Sequence, residues 1–179
     1  MPRYIAFLRA INVGGHTVKM DRLRELFSSM GHTNVETFIA SGNVVFDSPG
    51  KAAALERTIE ATLEDALGYE VATFIRTPGE LVVAAERQPF PVRPFEEAVA
   101  FNVGFLRDPL DPTGQRKLMT LRTDIDDFRV QGREIYWLCR KRQSESTFSN
   151  AVLERALGCR ATIRGAKTLK KMADKYGRD

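Results

Sequence analysis

The chain has 179 residues, 43% of them hydrophobic and 28% charged. That balance supports a packed core and excludes a disordered or low-complexity protein. No apolar run approaches the ~18 residues that cross a bilayer, and Met1-Pro2-Arg3-Tyr4-Ile5 lacks the apolar core of a signal segment, so a soluble cytoplasmic protein without membrane contact is expected. The net charge of +4 is unevenly placed. Arg160, Arg164, Lys167, Lys170, Lys171, Lys175 and Arg178 are opposed near the C-terminus only by Asp174 and Asp179.

Arg3 to Ile11 reads as a strand that is apolar on both faces, as a central strand is. Met20, Leu23, Leu26, Phe27 and Met30 recur at helical spacing, and Gly31 ends that helix. Two strands follow, Asn34 to Ile39 and Asn43 to Asp47, with Ser41-Gly42 as the turn. Ser48-Pro49 has the pattern of an N-cap and first helical residue. The expected helix buries Leu55, Ile59, Leu63 and Leu67 and ends at Gly68. Val71 to Arg76 is a fourth strand. Thr77-Pro78-Gly79-Glu80 is a capping box opening a short helix.

Pro89, Pro91 and Pro94 predict an extended connector over 89–94, which separates a first unit, 1–88, from a second, 95–179. In the second unit Val99, Phe101, Val103 and Phe105 alternate as a strand, and Asp111-Pro112 starts a helix through Leu118. Ile125 to Val130 and Glu134 to Cys139 form a hairpin. Ser146 or a neighbour caps a helix that stops at Gly158. Cys159 to Ile163 is a last strand, and Ala166 to Tyr176 a last helix. The order is β-α-β-β-α-β and then a helix, twice. The expected fold class is α+β, two tandem ferredoxin-like units each followed by an extra helix. Cys139 and Cys159 are expected as reduced core thiols, His32 as exposed polar surface. Tyr136 and Trp137 point to opposite faces, one in the core and the other in a groove between the halves.

Tyr4-Ile5-Ala6-Phe7-Leu8-Arg9, Ile11-Asn12-Val13-Gly14-Gly15-His16, Val18-Lys19-Met20 and Ser41-Gly42-Asn43-Val44-Val45-Phe46 together resemble the opening pattern of the bacterial domain of unknown function 1697 family. The resemblance implies the two-part α+β architecture and supplies no established activity. The family's Thr-Arg-Asn-Trp-Asn-Thr type of segment before its last helix is matched here by Ala161-Thr162-Ile163-Arg164-Gly165-Ala166-Lys167-Thr168. Thr162, Arg164 and Thr168 fit it; Gly165, Ala166 and Lys167 depart from it, as Ala10 does from the glycine usual after Arg9.

The candidate site is the Gly14-Gly15 loop. Glycines bare their backbone N–H groups, and N–H groups ahead of a helix favour anions. Arg9 and Lys19 add charge, and Asn12, Ser41 and Asn43 add oriented hydrogen bonds. Arg164 joins if the two halves fold face to face. The expected partner is a small anionic or phosphorylated ligand. The spacing from Gly15 to Lys19 excludes a P-loop. His16 lies in the loop with no carboxylate or nucleophile placed beside it by sequence. No His, Cys, Asp and Glu cluster has ligand spacing, so no metal is expected, and nothing indicates a cofactor or an oligomeric state. The alternative partner is nucleic acid, bound through Lys167, Lys170, Lys171 and Lys175.

Overall fold

The computed structural model describes residues 1–9, 11, 15–39 and 42–178. It is a mixed α+β fold with two four-stranded antiparallel sheets and seven α-helices among the described residues. The chain divides into two compact units, Met1–Val83 with Lys171–Asp179, and Ala84–Lys170.

In the first unit the elements are β1 (Arg3–Leu8), α1 (Met20–Ser29), β2 (Thr33–Thr37), β3 (Asn43–Asp47), α2 (Ala52–Leu67) and β4 (Thr73–Arg76), with α3 (Pro78–Glu86) beginning here. The sheet order is β2-β3-β1-β4. β1 is central and buried on both faces, as its continuous apolar run requires. Tyr4, Ala6 and Leu8 share one face with Leu23, Phe27, Phe46, Ile59 and Leu63, and these form the core. Thr77 and Glu80 make the reciprocal capping box: Thr77 N–H donates to Glu80 Oε2 at 2.8 Å, and Glu80 N–H to Thr77 Oγ1 at 3.2 Å. Gly31 and Gly68 take φ of +87° and +82°, the left-handed conformation that ends their helices.

In the second unit α4 (Val92–Glu96), β5 (Ala100–Phe105), α5 (Pro112–Met119), β6 (Asp126–Gln131), β7 (Glu134–Cys139), α6 (Asn150–Leu157) and β8 (Thr162–Gly165) precede α7 (Ala166–Tyr176), whose residues from Lys171 belong to the first unit. Its sheet order, β6-β7-β5-β8, repeats that of the first unit. Asp111 caps α5, its Oδ1 accepting from Gly114 N–H at 2.6 Å. Leu106, Leu118, Phe128, Trp137, Phe148 and Leu153 lie in this unit's core.

Several local expectations yield to long-range contacts. Ser48-Pro49 does not open α2. Ser48 N–H donates to the Pro2 carbonyl at 3.0 Å and Tyr4 Oη to the Gly50 carbonyl at 2.8 Å, so β1 holds this segment as a turn and Lys51 becomes the N-cap. The 89–94 stretch is not extended throughout. Pro91 caps α4, and Pro94 falls in its first turn, where a missing N–H costs nothing. Ser149, not Ser146, caps α6 by accepting from Val152 N–H at 3.2 Å. The last strand starts at Thr162 rather than Cys159. Cys139 is buried as expected, but Cys159 is exposed. Tyr136 and Trp137 are both buried; the Tyr136 hydroxyl donates to the Ala84 carbonyl at 3.0 Å, within the second unit, so it lines no open groove.

His32 is the clearest correction. It is 7% exposed, with its ring centroid 4.6 Å from that of Phe46 and 6.1 Å from that of Phe27. Desolvation lowers its pKa from the ordinary 6.5. Between the lowered value and 6.5 the unfolded chain binds a proton that the folded chain does not. The stability from a neutral His32 is therefore complete above pH 6.5 and is lost as pH falls through the folded value. Urea midpoints at pH 7.5 and pH 5.5 are expected to differ less for His32→Phe than for the wild-type chain; equal differences would refute this.

Candidate functional site

β1 and β3 are antiparallel, with Phe7 opposite Asn43, so the end of β1 meets the start of β3. Leu8 N–H donates to the Gly42 carbonyl at 2.8 Å, carrying that pairing to the edge of the turn. On the other side Arg9 N–H donates to the Ala72 carbonyl at 2.9 Å, just before β4 begins. Three chain segments therefore meet at one end of the sheet. Ile11 and Val18 are buried and belong to the core of this unit.

Gly15 is exposed with φ of +83°, a backbone that glycine adopts without strain. Lys19 is exposed and is the N-cap of α1, with no side-chain cap hydrogen bond on the first-turn N–H groups. Those N–H groups are left for solvent or a ligand, with Asp21 in the same turn as an opposing charge. Asn43 is 3% exposed; its Nδ2 donates to the Phe38 carbonyl at 3.0 Å and the Ile39 carbonyl at 3.2 Å, so its carboxamide holds the β2–β3 turn. Asn12, Gly14 and Ser41 lie outside the described residues. Arg164 lies in β8 of the second unit. Its Nη1 donates to Thr162 Oγ1 at 2.6 Å and the Ile163 carbonyl at 3.0 Å, and burial pushes its pKa down to about 10.

Sequence reasoning missed Tyr69. Its hydroxyl donates to the Ile11 carbonyl at 2.9 Å, and the His16 ring stacks on it with centroids 3.9 Å apart. Burial raises the Tyr69 pKa. A tyrosine directly after a helix-stop glycine gives no sequence signal of this role, because its partner lies 58 residues earlier.

The lysines of the last helix divide. Lys167, Lys170 and Lys171 are exposed. Lys175 Nζ lies 3.6 Å from Glu36 Oε2 and 5.7 Å from the Phe38 ring centroid. Tyr176 Oη also donates to Glu36 Oε2, at 3.0 Å, so the end of this helix is tied to β2. Among the described residues no group of three or more His, Cys, Asp or Glu is placed to hold a metal, and no helix is long and apolar enough to cross a membrane.

No curated protein matches the chain. Among solved structures, a conserved bacterial protein from Streptococcus pneumoniae has a similar fold, with a TM-score of 0.76 at 24% identity over 97% of each chain. A family model described as a protein of unknown function, DUF1697, matches residues 1–136, and the chain belongs to that family.

Proposed function

We propose that the first unit binds a small anionic or phosphorylated ligand at the end of its sheet where β1 stops and β3 starts. The Leu8 N–H to Gly42 carbonyl hydrogen bond, 2.8 Å, is the observation that supports the reading, because it joins the end of β1 to the residue just before β3. Gly15 and the α1 N-terminus supply N–H donors, and Arg9 and Lys19 supply positive charge. Asn12, Gly14 and Ser41 complete the set in this reading, with Asn43 holding the β2–β3 turn beside them. The same reading takes both units as tandem ferredoxin-like copies. Its support is their shared βαββαβ order and shared strand order. The nucleic-acid alternative draws on exposed Lys167, Lys170 and Lys171, but Lys175 is engaged with Glu36, which favours the anionic ligand.

Thermal unfolding against inorganic phosphate, pyrophosphate, nucleoside monophosphates and dicarboxylates tests the reading. A true ligand at a hundredfold excess over its Kd adds about 2.7 kcal/mol. Lys19→Ala is expected to remove most of that gain. The reading fails if no anion shifts the midpoint, or if Lys19→Ala keeps the full shift.

A further inference from the structure

β6 is an edge strand: the second sheet runs β6-β7-β5-β8, and β6 pairs with β7 alone among the described strands. An edge strand turns the N–H and C=O of every second residue away from its neighbour, which leaves a template for another strand. The register identifies those residues. Arg140 N–H donates to the Ile125 carbonyl at 2.8 Å, and the pairing runs on from Asp126 opposite Cys139 to Gln131 opposite Glu134. Asp127, Arg129 and Gln131 therefore bond to the β7 backbone, and Asp126, Phe128 and Val130 turn their backbone groups outward.

Groups from the same segment close most of that edge. At Asp126 the N–H donates to Thr123 Oγ1 and the carbonyl accepts from Thr123 N–H, both at 3.0 Å. At Phe128 the N–H donates to Asp127 Oδ1 at 2.8 Å, and the carbonyl accepts from Arg129 Nη1 at 2.8 Å. Arg129 Nη1 also donates to Asp127 Oδ1 at 3.1 Å. Residues two apart on a strand share a face, so Asp127 and Arg129 can both fold over the edge onto the backbone of the residue between them.

The clamp is braced from two sides. Arg122 Nε lies 2.9 Å from Asp127 Oδ1, and the Arg129 guanidinium lies over the Phe90 ring, 5.1 Å from its centroid. The Asp127 and Arg129 side chains are only 17% and 33% exposed, so neither extends into water as a surface charge usually does. A surface ion pair by itself adds little stability. What this one achieves is that two outward backbone groups of an edge strand are closed from within the chain.

The strand that fits this edge is a second copy of β6. Laid antiparallel about Phe128, two copies set Asp127 opposite Arg129 twice, Phe128 opposite Phe128 and Asp126 opposite Val130, with the outward groups of all three positions in register. The charges that clamp the edge within one chain are thus the ones that would pair across two. We propose that Thr123, Asp127 and Arg129 form an edge guard, which keeps β6 from adding the β6 strand of a second copy of this chain. The guard lies within the second unit and shares no residue with the site proposed in the first.

Sedimentation velocity of the full chain over a wide concentration range, with amide hydrogen exchange read at Phe128 and Val130, tests it. In the wild-type chain the Phe128 amide exchanges slowly although no strand covers it, and its rate does not change with concentration. Asp127→Ala speeds that exchange about tenfold in dilute solution, the scale of one hydrogen bond to an ionised group. The double variant Asp127→Ala, Arg129→Ala dimerises as its concentration rises, and the Phe128 and Val130 amides gain protection in step. Asp127→Asn keeps an acceptor oxygen and stays monomeric. Adding Val130→Pro to the double variant restores the monomer, because proline at an outward position removes no bond to β7 and blocks the edge. A wild-type Phe128 amide that exchanges as fast as an unstructured one would overturn the proposal. So would a wild-type chain already paired through β6, a double variant that unfolds cooperatively in urea yet stays monomeric at every concentration, or a dimer whose newly protected amides lie outside β6.

Discussion

Asp126→Ala is expected to destabilise the protein by about 4 kcal/mol, more than most single substitutions. Asp126 is 2% exposed and starts β6 opposite Cys139. Its Oδ1 accepts from Trp137 Nε1 at 2.9 Å and from Ser146 Oγ at 2.8 Å, and its Oδ2 accepts from Thr123 Oγ1 at 2.8 Å. One carboxylate thus joins the β6 start, a core indole and the segment leading into α6. Hydrogen bonds to an ionised group contribute about 1.5–3 kcal/mol each, and a buried donor left without an acceptor costs about 1–3 kcal/mol. Alanine takes every acceptor away together and strands the Trp137 N–H. Asparagine keeps one oxygen, so Asp126→Asn is expected to lose about half as much. Trp137 is the sole tryptophan, so its fluorescence in urea reports this unit's unfolding directly. A fall in midpoint with unchanged slope supports the assignment. A loss below about 1 kcal/mol would show that the network contributes little.

Phe46→Ala is expected to cost about 4 kcal/mol, from lost burial and the cavity left behind. Phe46 is fully buried on β3. Its ring packs edge-on against Phe27 with centroids 5.3 Å apart, against His32 at 4.6 Å, and 6.0 Å from Tyr4. β3, α1, the turn after α1 and β1 therefore converge on one side chain. Phe46→Leu retains most of the volume and is expected to cost under about 2 kcal/mol. Urea unfolding followed by far-ultraviolet circular dichroism measures both. Phe46→Ala has a second signature, because opening the space beside His32 admits water and relieves its desolvation. The stability lost between pH 7.5 and pH 5.5 is then smaller in Phe46→Ala than in the wild type. A pH dependence unchanged from the wild type would show that the ring does not shield the imidazole.

Much of the fold was legible because its signals are local. The doubly apolar run Tyr4 to Leu8 marks a strand covered on both faces, and β1 is the central strand it implies. Gly31, Gly68 and Gly158 mark helix ends, and all three take positive φ. The Thr77–Glu80 box and the Asp111 cap form as read, since each needs only residues within one turn. The Ser48-Pro49 cap is equally local but loses to Pro2 and Tyr4, which hold the segment from β1. Of the candidate site, Arg9, Gly15, Lys19, Asn43 and Arg164 are described, and the meeting of the β1 end with the β3 start depends on the antiparallel pairing of the two strands. The spacing of residues alone leaves that direction open.

By itself, then, the sequence determined the element types, their order and most of their ends, since periodicity, caps and glycine stops act within about one helical turn. Only the tertiary structure decided which polar residues are buried and what they face. His32 follows a helix stop and reads as surface, yet Phe46 closes over it from another strand. Asn102 sits unmarked in an alternating strand, yet it is buried with its Nδ2 unpartnered, in register with Gly165, 63 residues later. Burial and hydrogen-bond satisfaction depend on what packs across the sheet, and strand pairing sets that between residues far apart in the chain.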